Sequence, residues 1–135
     1  MIEYSMQQPD TKPSNSAAEA IEDSQFHRPG AHLLQSIELA LEAADDRLDL
    51  DLDVSRQGGN VITIQFRDRS VIVVNTQPPL HEIWVAAKCG GFHYRWAGSM
   101  AKPLWLDTKT GRELLSDLSE FASAQAGQPL TIALK

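Results

Sequence analysis

Hydrophobic residues first follow a helical period. They recur at three- and four-residue spacing at Leu34, Ile37, Leu41 and Ala44, which predicts a helix with one buried stripe. Ser24 is a possible N-cap, but Pro29-Gly30 is expected to interrupt the helix, because proline is tolerated only in a first turn. The regular helix is therefore predicted over residues 31–46.

A period of two residues follows this helix. In residues 48–54 every second residue is apolar, which predicts a strand with leucines inward and aspartates outward. A hairpin loop at residues 57–60 leads to a partner strand. Later strands are separated by turns at 67–70, Pro78-Pro79 and Gly90-Gly91. The strands after the first are predicted at 61–66, 71–75, 81–87, 91–96 and 104–106.

The helical period returns in residues 111–126, where Gly127 is expected to end a second helix. Residues 130–134 are expected to pack back on the core. Short turns join consecutive strands into an antiparallel meander, and the N- and C-terminal helices can cover one of its faces. The sequence thus predicts an α+β two-layer sandwich with a five- to six-stranded antiparallel sheet. The polar residues 1–23 are predicted to be a flexible tail, and residues 24–135 the folded domain.

Charge is concentrated in one segment. Residues 38–53, ELALEAADDRLDLDLD, contain seven acidic residues and one basic residue, a net charge equal to the −6 of the whole chain. The rest of the chain is therefore neutral. We call the seven acids the acidic ridge: Glu38, Glu42, Asp45, Asp46, Asp49, Asp51 and Asp53. Acids at helical spacing repel one another by a few tenths of a kcal/mol per pair. This repulsion slightly destabilises the helix.

Composition excludes several classes of function. The single cysteine, Cys89, excludes an internal disulfide and any multi-cysteine metal site. An acidic chain is a poor ligand for nucleic acid, and no apolar run reaches the ~18 residues that span a bilayer. The N-terminus lacks the pattern of a signal or transit peptide. A Cys89/His93 nucleophile pair lacks a third, orienting group.

Three aspartates of the ridge, Asp49, Asp51 and Asp53, have the D-x-D-x-D spacing of a calcium loop. An EF-hand would need glycine and glutamate where the sequence has Val54 and Asn60, so this interpretation is rejected. An open row of carboxylates remains, which suits hard cations such as Fe²⁺, Fe³⁺, Mn²⁺ or Ca²⁺, held weakly. A plain solvated face and a docking surface for a basic partner stay open as alternatives.

The strands in the middle of the chain predict a second surface. Because helices cover only one face of the sheet, alternation must place some aromatic side chains on the other face. Asn75, Gln77, Glu82 and Trp84 are predicted to form an exposed polar-aromatic patch, a composition favoured in protein interfaces.

Three runs carry a resemblance to a known family. They are GGNVITIQF, SVIVVNTQPPLHEIWVAAKCGGFHYRW and LDTKTGRELLSDLSEFASAQAG. Together they closely resemble the frataxin family, and its bacterial branch (CyaY) in particular, over the chain from about residue 24 to the C-terminus. The chain departs from the family at Pro29-Gly30, where members usually continue a helix, and in the longer loop at residues 99–103.

The resemblance implies an iron-binding accessory protein of iron–sulfur cluster assembly. Weakly bound Fe²⁺ or Fe³⁺ on the acidic ridge would be the only cofactor, with no organic one. The ridge would also dock on a cysteine desulfurase, and Asn75, Gln77 and Trp84 would meet the desulfurase–scaffold complex and tune its activity. The protein would be a monomer when free of iron, in the bacterial cytoplasm or, in a eukaryote, the mitochondrial matrix. A self-sufficient iron-oxidising or iron-storing protein is the alternative.

Overall fold

The computed structural model describes residues 23–133. The predicted flexible tail, apart from Asp23, and Leu134 lie outside this range. The elements in chain order are α1 (Asp23–Leu48), β1 (Asp53–Gln57), β2 (Val61–Gln65), β3 (Val71–Gln77), a 3-10 turn (Pro78–Leu80), β4 (Glu82–Ala87), β5 (Gly90–Trp96), β6 (Trp105–Asp107) and α2 (Leu114–Ala126). No helix in the described range is long and apolar enough to cross a membrane.

The six strands form one antiparallel sheet in the order β1-β2-β3-β4-β5-β6. This meander between two helices confirms the predicted α+β fold. Apart from β1, the strands and α2 agree with the predicted ranges to within three residues at each end. The turn between β4 and β5 is at Lys88-Cys89, however, and Gly90 already belongs to β5.

Both helices contribute to one core on the same side of the sheet. The inward side chains of the strands alternate with outward ones, so that Ile62, Ile64, Ile72 and Val74 are fully buried. They join residues of both helices in one apolar cluster. The outer face of the sheet has no helix on it within the described range and carries mostly half-buried or exposed side chains. At the end of the chain Leu130 and Ile132 are buried, which confirms the predicted return of the tail.

The prediction that Pro29 interrupts the first helix is wrong. α1 continues through Pro29, and Ser24 lies inside the helix, not before it. Proline in a helix interior costs about 3 kcal/mol or more, and packing around it offsets this cost. Phe26 is fully buried, with its ring 5.6 Å from that of His81 and 5.5 Å from that of Trp105.

The prediction of a strand over residues 48–52 is also wrong. Leu48 still belongs to α1, and β1 begins only at Asp53. Asp49 and Asp51 have φ angles of 54° and 59°, in the left-handed region that aspartate tolerates better than most residues. The segment is therefore a bent loop, although Leu50 is buried and the aspartates point outward as the alternation indicated.

The loop between β5 and β6 is closed by its own hydrogen bonds. The amide of Ala97 donates to the carbonyl of Leu104 at 2.9 Å, and Ser99 and Lys102 exchange two backbone hydrogen bonds of 3.1 Å. A side chain at Gly98 would place its Cβ 2.2 Å from the Lys102 carbonyl oxygen. The long loop is thus a tight extension of the hairpin that requires glycine at this position.

Candidate functional site

The helical part of the acidic ridge lies on the second half of α1. Glu42 and Asp46 are exposed, whereas Glu38 and Asp45 are half-buried. The carboxylate of Glu38 accepts a hydrogen bond from Arg56 on β1 at 3.3 Å. Glu38 is therefore already paired with an internal positive charge.

The rest of the ridge follows the loop after α1 into β1. Asp49, Asp51 and Asp53 are exposed. Arg67 crosses this loop: its guanidinium donates to the Asp49 carbonyl at 2.8 Å and lies 3.9 Å from the Asp51 carboxylate. The Asp45 carboxylate accepts the amide of Leu52 at 3.3 Å, which fixes the loop to the end of the helix.

The seven ridge residues thus all lie in one short stretch, residues 38–53, but the structure does not gather them into a coordination cage. Within residues 23–133 no group of three or more histidine, cysteine, aspartate or glutamate side chains is placed to hold a metal ion. What the geometry offers is an open surface of single carboxylates, several of them at the negative end of the α1 dipole. Such a surface attracts hydrated cations and basic proteins without selecting one tightly.

The second predicted surface lies on the outer face of the sheet. Asn75 on β3 pairs with Trp84 on β4, and the amide of Gln77 donates to the Asn75 side-chain oxygen at 3.0 Å. All three side chains are half-buried. The structure therefore brings Asn75, Gln77 and Trp84 together, as the sequence predicted. We call them, with His93 and Arg95 of β5, the outer platform.

Glu82 does not belong to the exposed part of this platform, so the prediction that it is exposed is wrong. It is only 4% exposed, although it lies on the face of the sheet that no helix covers in the described range. One carboxylate oxygen accepts the indole N–H of Trp84 at 2.9 Å, and the other accepts the guanidinium of Arg95 at 2.7 Å. Glu82 is buried because its neighbours fold over it and satisfy both oxygens.

His93 completes the arrangement. Its ring is stacked on that of Trp84, with centroids 4.3 Å apart and planes inclined by 8°. Its Nδ1 lies 3.8 Å from the Glu82 carboxylate. The indole of Trp84 is therefore held at its N–H edge by Glu82 and on a face by His93.

Stability should depend on pH through Glu82. Burial raises the pKa of this carboxyl, but the hydrogen bonds from Trp84 and Arg95 outweigh burial and leave the pKa below the ordinary 4.5. A carboxyl whose pKa is lowered by folding stabilises the native state at pH above its unfolded value, and this stabilisation disappears as the pH falls through the native pKa. Below pH ~4.5 the wild type should lose more stability than Glu82→Gln does. Urea unfolding at several pH values measures this, and parallel profiles for the two proteins would contradict it.

The sequence did not single out the arginines or His93 as functional neighbours. Arg56 and Arg67 were missed because their partners come from α1 and the loop after it, so only the packed structure reveals them. His93 and Arg95 had a usable signal. A two-residue turn at Lys88-Cys89 places them opposite Trp84 and Glu82.

Comparisons with known proteins agree with this arrangement of helices and strands. The sequence model of the frataxin-like domain matches residues 19–128. The chain belongs to the frataxin-like family. Its bacterial relatives from Polaromonas sp. and Variovorax paradoxus are each 46% identical, over 108 and 111 residues. These matches cover 80% and 82% of this chain and 89% and 96% of the relatives, and both relatives are named "Iron-sulfur cluster assembly protein CyaY".

A solved structure supports the same family at the level of the fold. Frataxin from Psychromonas ingrahamii is 29% identical to this chain and superposes with a TM-score of 0.70. The superposition covers 84% of this chain and 99% of that one. The resemblance to the bacterial branch of the frataxin family, first recognised from three sequence runs, is confirmed.

Proposed function

We propose that this frataxin-like protein is an iron-binding accessory protein of iron–sulfur cluster assembly that regulates a cysteine desulfurase. The observation that carries the proposal is the presence, on a frataxin fold, of an acidic ridge with five exposed carboxylates, in a segment whose net charge equals that of the whole chain. The names of the relatives support the pathway. Because those relatives are bacterial, we expect the protein to act in the bacterial cytoplasm.

Iron would be cargo on this surface. The five exposed acids are the strongest candidates: Glu42, Asp46, Asp49, Asp51 and Asp53, although Arg67 lies 3.9 Å from Asp51. Glu38 is paired with Arg56, and Asp45 accepts the Leu52 amide. Single carboxylates that do not converge bind hydrated cations weakly and exchange them quickly. That behaviour suits delivery of iron better than storage of iron.

The two surfaces would divide the contact with the desulfurase and its scaffold protein. The ridge carries the net charge of the chain and would steer the protein toward a basic surface. The outer platform contains a half-buried tryptophan among amides, where Glu82 offsets the charge of Arg95. Asn75, Gln77 and Trp84 would supply a contact that depends on shape more than on charge.

Divalent metal should raise the melting temperature. The ridge acids repel one another, and Asp45 and Asp46 also face the negative end of the α1 dipole, so a bound cation relieves both effects. At metal concentrations ~100 times Kd, the gain would be about 2.7 kcal/mol. Mn²⁺, which is not oxidised during heating, is the probe for a thermal melt. The control is the variant with Asp45, Asp46 and Asp49 changed to asparagine, which removes two of the five exposed acids and one half-buried acid and should show a clearly smaller shift. Equal shifts in both proteins would contradict binding at the ridge.

The proposed function is tested by cluster assembly on a scaffold protein, with a desulfurase, cysteine and limiting Fe²⁺, with and without one equivalent of this protein. A changed rate that the triple asparagine variant does not produce would support the proposal, and its sign would distinguish inhibition from activation. An unchanged rate would refute it. Rapid oxygen consumption by the isolated protein with Fe²⁺ would instead favour the iron-oxidising alternative.

A further inference from the structure

The carboxylate of Glu82 is an unusual group for its place in the fold. Outward side chains at corresponding positions on the neighbouring strands, such as Gln77 and Arg95, are half-buried or exposed, whereas the Glu82 side chain is 6% exposed. A buried carboxylate is costly unless hydrogen bonds and an opposite charge compensate it. Here both oxygens are used, one by Trp84 and one by Arg95.

These contacts of Glu82 hold the indole ring of Trp84 in one orientation. A tryptophan side chain on a sheet surface has several rotamers, and a partner that requires one of them must order the side chain on binding. In this protein the hydrogen bond to Glu82 fixes the indole edge, and the stack with His93 supports a face of the ring. The cost of ordering is therefore met during folding, before any partner arrives.

We infer that Glu82 is a positioning residue of the outer platform, which orients the Trp84 indole for docking on the desulfurase–scaffold complex. This inference deepens the proposed function and rests on it. Glu82 acts through Trp84 and Arg95 and need not touch the partner itself. Arg95 balances the charge of Glu82, so the native pair adds little net charge to the outer platform.

The pH dependence of Trp84 offers a test that needs no partner. Glu82 faces Arg95 and His93 on β5 and the uncharged Gln77 on β3. The indole N–H of Trp84 gives a signal in a proton–nitrogen correlation NMR spectrum, and its loss in Trp84→Phe assigns it. The position of this signal reports directly on the hydrogen bond to Glu82. In the wild type this signal should move as the pH falls below ~4.5, the range in which Glu82 gains a proton. In Glu82→Gln it should stay constant over the same range.

Substitutions test the link to docking. Glu82→Ala should shift the Trp84 signal and weaken binding to the desulfurase about 3- to 10-fold, the range expected for ordering one large side chain. Glu82→Gln keeps an acceptor for the indole and should stay within ~3-fold of the wild type. Asp117→Asn is the matched control, since Asp117 is also buried and bound to an arginine, Arg112, but lies on α2. It should change neither readout.

The outcomes separate the two proposals. A Trp84 signal that is the same in Glu82→Ala and wild type would refute the positioning role, whatever the affinity is. A shifted signal with unchanged affinity would refute the link between positioning and docking. If the wild type does not bind the desulfurase at all, the proposed function fails, while the indole signal still shows whether Glu82 orients Trp84.

Discussion

Changing Asp45, Asp46 and Asp49 to asparagine is expected to slow association with a cysteine desulfurase about 10-fold or more at low salt, because long-range steering by a charged surface raises association rates by 10 to 10³. Asparagine preserves the structure at these positions. At residue 49 it tolerates the left-handed backbone of φ 54°, and at residue 45 it retains an oxygen for the Leu52 amide. The loss of three charges is therefore tested without loss of the loop. Stopped-flow mixing at several salt concentrations measures the rate.

A control variant must separate the effect of charge at the ridge from the effect of the net charge of the whole chain. Lysines at Ala101, Ala124 and Thr131 change the net charge by the same three units at exposed positions outside the ridge. If the ridge itself steers docking, this control should associate nearly as fast as the wild type. Equal slowing of both variants would show that only total charge matters. A wild-type rate that is independent of salt would contradict steering altogether.

The first part of the chain shows how far periodicity predicts a fold. The apolar stripe of Leu34, Ile37, Leu41 and Ala44 is buried as predicted. The ends of the helix were predicted less well. The rule that proline ends a helix considers only neighbouring residues, whereas Phe26 is buried against His81 and Trp105, which are distant in the sequence. Alternation after Leu48 correctly separated buried from exposed side chains but did not reveal that Asp49 has a left-handed backbone.

In the candidate site, too, some features follow from the sequence pattern and others do not. Exposure of five of the seven ridge acids follows from their pattern, and so does the placement of Trp84 beside Asn75. The burial of Glu82 does not, because it requires the side chains of a third strand to fold over it. The pairing of Glu38 with Arg56 depends on how α1 lies on the edge of the sheet, which no local pattern encodes.

Trp84→Ala is expected to weaken the complex with the desulfurase about 30-fold, which corresponds to the ~2 kcal/mol lost when a tryptophan hot spot is truncated. The reason is the arrangement around the ring: the indole is already oriented by Glu82 and His93, so its contact with a partner is made without an ordering cost. Val73→Ala is the control, because Val73 is half-buried on the same outer face of the sheet. It should bind like the wild type.

Binding kinetics distinguish the weaker binding of Trp84→Ala from that of the variant with Asp45, Asp46 and Asp49 changed to asparagine. Truncating a packed contact mainly raises the dissociation rate, whereas removing steering charges mainly lowers the association rate. Trp84→Ala should therefore dissociate faster, with the salt dependence of association intact, because the ridge acids are unchanged. Surface plasmon resonance at two salt concentrations measures both rates. If Trp84→Ala instead removed the salt dependence, the ridge and the outer platform would be parts of one electrostatic contact, and the division of roles between them would be wrong.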